Sequence, residues 1–372
     1  MRLSFLSLLS SALATSAVSL TSLPITFSDI SGTLVNGPST AQLTAQTWGL
    51  DGPKVANLNS TSFDWWYYDV VSSALDYSLV LVFWHAAPSG LWANVAGGAQ
   101  PPTTVWSSLV VTLPDGSTVQ SGTVAEELIV LATENGSSGT LSGTGWSWAS
   151  LPDMSLYEIV IDAPDVGVQG TITLQSTSPA HYPCALASAA KPGDSIAFGE
   201  FFGWANAVPD ANAVVDLTIN GTKVAFSGSG YHDKNWAPVP TQDAIKAWYW
   251  GHGRLGRLNV VWFDVVLNDG TEQSSNYVVQ DGKVLAASCS GASVRPTVSN
   301  ATFPPLHGGA PPGGFAINMT VPGGHTLQID VAHTTVIAGE EGTFYRWIGE
   351  LSGGYVGGAK WNGTALYEQF AF

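Results

Sequence analysis

The chain has 372 residues, long for one hydrophobic core and comfortable for two. Its 28 acidic and 12 basic residues leave a formal charge of −16, which repels phosphate backbones and argues against nucleic-acid binding. With 41 Gly, 21 Pro and 11% aromatic residues, the composition fits an all-β protein with tight turns and aromatic-lined faces.

Residues 1–19 read as a secretory signal: Arg2, the apolar run LSFLSLLSSALA, and small residues around Ala14 and Ala17. The run is too short and too Ser-rich for a membrane span, and no later stretch reaches about 18 apolar residues, so no stable membrane insertion is expected. Six Asn-x-Ser/Thr sequons, at Asn59, Asn135, Asn220, Asn300, Asn318 and Asn362, agree with a secreted protein. Cys184 and Cys289 are the only cysteines. In an oxidising compartment they form one bridge closing a loop of about a hundred residues, or they stay two buried thiols.

Residues 20–59 are rich in Ser, Thr, Pro and Asn and read as a lead-in segment rather than a domain. FDWWYYDVV and YSLVLVFWH follow, strand-like in length and in β-branched and aromatic content. WSSLVVTLPDGSTVQSG places a Pro-Asp-Gly turn between two strands. ELIVLATENGSSGTLSGTGWSW and LYEIVIDAPDVGVQGTITLQS continue the meander, and AVVDLTINGTKVAFSGSGYHD is a hairpin about Asn-Gly. TQDAIKAW is the one weak helical stretch. After it the pattern restarts with WYWGHGRLGRLNVVWFDVVLNDG, then FAINMTVPGGHTLQIDVAHTTVIA and FYRWIGELSGGYVGGAKWNGTALYEQF.

The halves echo each other. Trp65-Trp66-Tyr67-Tyr68 precedes an apolar strand with Phe83-Trp84, and Trp248-Tyr249-Trp250 precedes one with Trp262-Phe263. Two β-barrels of similar plan explain this, over residues 60–227 and 228–372.

GHGRLG at 251–256 fits G-x-G-x-x-G, but a dinucleotide fingerprint needs a helix after it and RLNVVWFDVVL reads as a strand. The glycines are therefore expected in a hairpin turn. No G-x-S-x-G, P-loop, H-E-x-x-H or C-x-x-C motif occurs, and the spacing of the seven histidines suggests no metal site.

GSGYHDKNWAPVP at 228–240 crowds a phenol, an imidazole, a carboxylate, an ammonium and an amide into five positions of a chain with only 11% charged residues. On a strand, Tyr231 and Asp233 share one face and His232 takes the other. Trp248 and Trp250 share a face; so do Trp66 and Tyr68, with Trp65, Tyr67 and Asp69 opposite. A barrel wall of Trp and Tyr with one or two acids is a pocket for a large apolar ligand. Desolvation among indoles raises a carboxyl's pKa, so Asp233 becomes an acid near neutral pH. The alternative pairs Asp233 with Lys234 or Arg254 to fix the turn.

FDWWYYD, GSGYHDKNWAP and WYWGHGRLG, in this order, resemble the carotenoid hydratase/AttH-like proteins and the fungal lipocalin-like Diels–Alderases. The likeness covers about residues 60–372 and is nearest to the hetero-Diels–Alderases of tropolone sesquiterpenoid biosynthesis. It implies two tandem lipocalin-like β-barrels, a ligand site near their junction, and no cofactor. It also implies proton donation by a Tyr-x-Asp pair with an upstream Trp, which fall here on Tyr231, Asp233 and Trp204. His232, between the pair, is counted with them as catalytic; it, Lys234 and Asn235 are expected to tie the linker between the barrels. Trp66, Tyr68, Trp204, Trp248, Trp250 and Arg254 are the expected substrate-binding residues. The expected function is a pericyclase joining a terpene alkene to a quinone-methide-type heterodiene. A hydratase or isomerase of an isoprenoid alkene, and a non-catalytic carrier of an apolar metabolite, are the alternatives. The partner is in each case a large apolar small molecule; the sequence carries no signal on oligomeric state.

Overall fold

The computed structural model describes residues 23–91, 101–297, 300–340 and 342–372, and the expected signal segment, residues 1–19, lies outside them. The described chain is all-β: a 15-stranded sheet, a 9-stranded sheet and a small two-stranded one. The weak helical stretch yields a single turn, Thr241–Ala244. No helix among the described residues is long and apolar enough to cross a membrane.

Both expected hairpins form. Pro114-Asp115-Gly116 joins the strands Val105–Thr112 and Thr118–Ala125. Asn220 and Gly221, with φ of 50° and 80°, join Phe202–Ile219 to Thr222–Ala237, the paired left-handed conformations that a two-residue turn demands.

Thr222–Ala237 is the strand that matters most. It lies between Phe202–Ile219 and Phe63–Ser72, so the YHDKNW motif sits deep in the first sheet. The second sheet starts at Ala247–Leu255, which places the changeover at 238–246 rather than at 228. The lead-in segment also does more than expected: Ile25–Ser31 adds an edge strand beside Glu127–Thr133, and Leu50 and Asp51 are buried.

Burial explains the two-sided aromatic strands. An ordinary strand such as Leu156–Ala163 alternates exposed and buried, whereas Phe63–Ser72 and Ser78–Ala86 are buried throughout. Their two faces serve different cores. Trp66, Tyr68, Leu81 and Phe83 fill the inside of the first sheet. Trp65, Tyr67, Val82 and Trp84 face a second core, which also holds Trp204, Tyr231, Trp248, Trp250 and Phe263 and so lies between the sheets. Tyr249, Trp262 and Trp347 fill the inside of the second sheet.

GHGRLG runs along Ala247–Leu255 and turns directly into the strand Leu258–Val266, not a helix. Only Gly256, with φ of 60°, stands in the turn. Gly251 is a mid-strand residue where a Cβ would collide with the Trp262 ring, a close approach rather than the expected turn position.

Cys184 and Cys289 are bridged, with Cα atoms 4.2 Å apart. The bridge ties the first half to the second. Two hydrogen bonds reinforce it, from Tyr277 Oη to the Pro179 carbonyl (2.7 Å) and from Ser275 Oγ to the Pro183 carbonyl (2.8 Å).

Candidate active site

Between the sheets lies a cavity of about 930 Å³. The first sheet contributes Trp65, Tyr67, Trp84, Trp106, Asp233 and Asn235 to its wall; the second contributes Trp248, Trp250, Phe263, Arg346, Glu368 and Phe370. Ser108, Gln120 and Thr123 add polar lining.

Register places the acid there. Asp233 stands opposite Tyr67, Asn235 opposite Trp65 and Tyr231 opposite Asp69, and directly paired residues share a face of the sheet. Two donors converge on one oxygen: Trp204 Nε1 and Tyr231 Oη each donate to Asp233 Oδ2 at 2.8 Å. Trp250 Nε1 donates to Tyr231 Oη at 3.2 Å, extending the chain across to the second sheet. Asp233 Oδ1 has no protein donor among the described residues. Tyr231 is held from its face as well: the His252 ring stacks on it at 4.4 Å, and His252 Nε2 pairs with Asp69 at 2.9 Å.

Burial raises the Asp233 carboxyl to about 7, against the lowering effect of the Trp204 and Tyr231 bonds and of His232; Glu368 pushes in the same direction as burial. Burial likewise drives the Tyr231 phenol well above its ordinary value, with the Asp233 charge adding to it, so Tyr231 keeps its proton. The arrangement is a carboxyl that is half protonated near neutrality, walled by indoles and phenols, with its proton-free oxygen already occupied by two donors. Such a group can donate a proton and take it back.

The structure brings Asp233, Trp248 and Trp250 to the cavity wall; Trp204 and Tyr231 are bonded to Asp233 but are not among the lining residues, so Trp204 is a partner of the acid rather than the expected substrate contact. Four other expectations are corrected. His232 points away from the cavity, where its Nε2 lies 3.0 Å from Asp51 Oδ1, its Nδ1 2.8 Å from the Tyr67 carbonyl, and its ring stacked on Tyr68 at 3.9 Å. Trp66 and Tyr68 face the inside of the first sheet with it, and the neighbours Trp65 and Tyr67 line the cavity instead. Arg254 is bonded to Asp210 at 2.7 Å outside the cavity, so neither it nor Lys234 pairs with Asp233. Lys234 does not tie a linker: its Nζ is buried 2.8 Å from Asp64 Oδ1 and 3.2 Å from the centre of the Trp66 ring.

Around His232 and Lys234 a buried polar network fastens the lead-in segment. Asp51 Oδ2 accepts from Ser137 Oγ (2.6 Å) and Tyr157 Oη (2.9 Å), and Asp64 Oδ2 accepts the Lys54 N–H (2.7 Å). Burial first, and the Lys234 charge next, lower Lys54 to about 7. Among the described residues no group of His, Cys, Asp and Glu is arranged to hold a metal ion.

Of the sequons, Asn220, Asn300 and Asn362 are exposed, while Asn59, Asn135 and Asn318 are half-buried. Asn59 and Asn135 are engaged locally, Asn59 Oδ1 accepting from the Thr61 N–H (2.9 Å) and Asn135 Oδ1 from the Leu50 N–H (3.4 Å).

Trp65, Tyr67, Arg346 and Glu368 line the cavity although none is among the expected binding residues. Arg346 stands directly opposite Glu368 in the hairpin Phe344–Tyr355/Lys360–Ala371. Counting outward from the Gly-rich turn in LSGGYVGGAK gives that pairing, so a signal for it existed. For Trp65 and Tyr67 the alternation was visible and only the sign of the face was not.

Comparison with known proteins places the chain in a family. The chain is 36% identical over 350 residues to the quinolone epoxide rearrangement protein of Penicillium thymicola, covering 91% of this chain and 93% of that one. It is 35% identical over 344 residues to the protein of the same description from Emericella nidulans, covering 91% and 92%. A Diels-Alderase of Pyricularia grisea is 24% identical over 342 residues, 87% of this chain and 78% of that one. Among solved structures, CghA with Sch210972 shares the fold at a TM-score of 0.73 and 17% identity, over 94% of this chain and 98% of that one. The Diels-Alderase-like family matches residues 27–372, which takes in much of the lead-in segment as well. The chain belongs to the Diels-Alderase-like family and is an enzyme of its cyclase/isomerase type.

Proposed function

We propose that the protein isomerises an apolar, aromatic secondary metabolite by giving a proton from Asp233 to one of the substrate's oxygens, and that the substrate is an epoxide. The observation that carries this reading is the pair of hydrogen bonds from Trp204 and Tyr231 to a single oxygen of a buried carboxyl inside an aromatic cavity. The full-length likeness to the two quinolone epoxide rearrangement proteins supports the choice of substrate.

In this mechanism Asp233 protonates the epoxide oxygen as a carbon–oxygen bond opens. Positive charge develops on the carbon, where the faces of Trp65, Trp248 and Trp250 stabilise it through their ring quadrupoles. A neighbouring group migrates with its electron pair, and the Asp233 carboxylate recovers a proton as the product forms. Atoms balance with no second substrate. The Trp204 and Tyr231 donors stabilise the carboxylate at the stage when it exists. The test is incubation of the purified protein with an aryl-substituted quinolone epoxide. A rearranged product formed faster than in buffer, and lost in Asp233→Asn, supports the reading; product ratios equal to buffer overturn it.

A hetero-Diels–Alder closure is the second reading, favoured by the family match and by a cavity large enough to hold a terpene alkene beside a heterodiene. There Asp233 would hydrogen-bond the enone oxygen while the walls hold both partners in a reactive pose. Labelled water separates both readings from a hydratase, which alone incorporates its oxygen. In either reading the two sheets are taken as lipocalin-like barrels meeting at the cavity, supported by each having its own inner core. The Cys184–Cys289 bridge and the exposed sequons support the secretory route proposed from residues 1–19.

A further inference from the structure

Opposite the acid, the cavity wall carries a cation. Arg346 has a side chain only 14% exposed, and its guanidinium has five N–H donors. Glu368 Oε2 takes one from Nε at 2.8 Å and one from Nη2 at 2.6 Å. Nη1 has no hydrogen-bond partner among the described residues, and Arg346 lines the cavity. These N–H groups are open to the cavity, and a ligand that displaces the water from them without supplying an acceptor incurs a desolvation cost. The guanidinium is also held still. Trp248 Nε1 donates to Glu368 Oε1 at 3.0 Å, which fixes the carboxylate from behind, and the Tyr67 and Phe344 rings lie 5.1 Å from the guanidinium carbon.

We infer that Arg346 is the recognition residue for a carbonyl oxygen of the substrate. The ligand is then an apolar aromatic molecule bearing an amide- or enone-type carbonyl, besides the oxygen that Asp233 addresses. A neutral acceptor fits better than an anion. Glu368 already balances the charge of Arg346, and Asp69 lies close enough to act on both, so a carboxylate or phosphate would enter a site with no net positive charge. A rigid fork with in-plane donors matches the lone pairs of a carbonyl, which a mobile ammonium would not. Glu368, bonded to the guanidinium and not to the ligand, is a positioning residue.

The inference rests on the proposed use of this cavity as the substrate site, and its test reads binding rather than turnover. The probes are 4-phenyl-2-quinolone, a lactam of the class in those relatives' names, and 4-phenylquinoline, which lacks the carbonyl. Titrated calorimetrically into the full chain, the lactam should bind roughly 10-fold or more tightly, the size of a hydrogen bond to a charged group. The paired variant Arg346→Met/Glu368→Gln leaves no unpaired charge; it should abolish that preference while binding 4-phenylquinoline as before. Arg346→Lys, which keeps the charge and loses the fork, should retain only part of the preference and serves if the paired variant does not fold. Equal or undetectable binding of both probes by the wild type overturns the inference, as does an equal loss for both probes in the variants. Turnover in Asp233→Asn bears only on the proposed reaction, so the two failures are distinguishable.

Discussion

Trp204 and Asp233 are joined by a 2.8 Å hydrogen bond from the indole Nε1 to Oδ2, although 29 residues separate them in the chain. They sit on adjacent antiparallel strands, two residues out of direct register, since Trp204 stands opposite Asn235 and Asn206 opposite Asp233. The bond makes a fully buried core indole into a brace for the acid.

Asp233→Asn keeps shape and polarity but removes the proton. Turnover should fall by about 10²-fold or more, the usual size of a general-acid contribution, with little change in melting temperature. Unchanged turnover in the folded variant would remove Asp233 from the mechanism.

The pH profile should carry the same signature. With the carboxyl raised to about 7 by burial, the proton-donating form dominates below that pH, so the rate should decline as pH rises through about 7. A group raised in the folded state also binds more protons folded than unfolded. Its contribution to stability therefore falls from the ordinary carboxyl range up to about pH 7. Asp233→Asn should flatten the contribution of this residue to melting temperature against pH across that window.

Tyr231→Phe and Trp204→Phe each delete one donor to the carboxylate. Both donors lower the carboxyl's pKa, so each variant should move the midpoint of the rate profile upward while leaving a working acid. A midpoint that stays put or moves down contradicts the role assigned to these bonds.

Lys234→Met leaves Asp64 charged and buried without its partner, and should cost about 3–5 kcal/mol of stability. Because Lys234 faces away from the cavity, the folded fraction should turn over at the wild-type rate. Denaturant unfolding and activity on the same preparation check both halves of this statement.

Reducing the Cys184–Cys289 bridge frees a loop with a sequence separation of 105 residues. In the chain-entropy picture that costs on the order of 4–5 kcal/mol, readable as a lower denaturation midpoint in the presence of reductant.

Much of this was legible without a structure. The Pro-Asp-Gly and Asn-Gly hairpins, the absence of long helices and the aromatic strands follow from local chemistry: turn residues with the right backbone freedom and side chains that suit a pleated surface. The alternation that sets Tyr231 and Asp233 against His232 is equally local, because side chains on a strand change face at every residue.

Which face meets which core is not local. Phe63–Ser72 has aromatic residues on both faces and is buried on both, so composition could not say whether Trp65 and Tyr67 or Trp66 and Tyr68 look into the cavity. Cross-strand register decided it, by setting Asp233 opposite Tyr67. Register also took Arg254 away to Asp210 and brought Arg346 and Glu368 to the wall. Asp51, buried under His232 and 181 residues from it in sequence, belongs to a segment whose composition reads as a loop. The sequence by itself determined the strands, the turns and the face that Tyr231 shares with the acid Asp233. Only the tertiary structure decided what surrounds that acid, because desolvation and hydrogen bonding depend on which distant strands close over it.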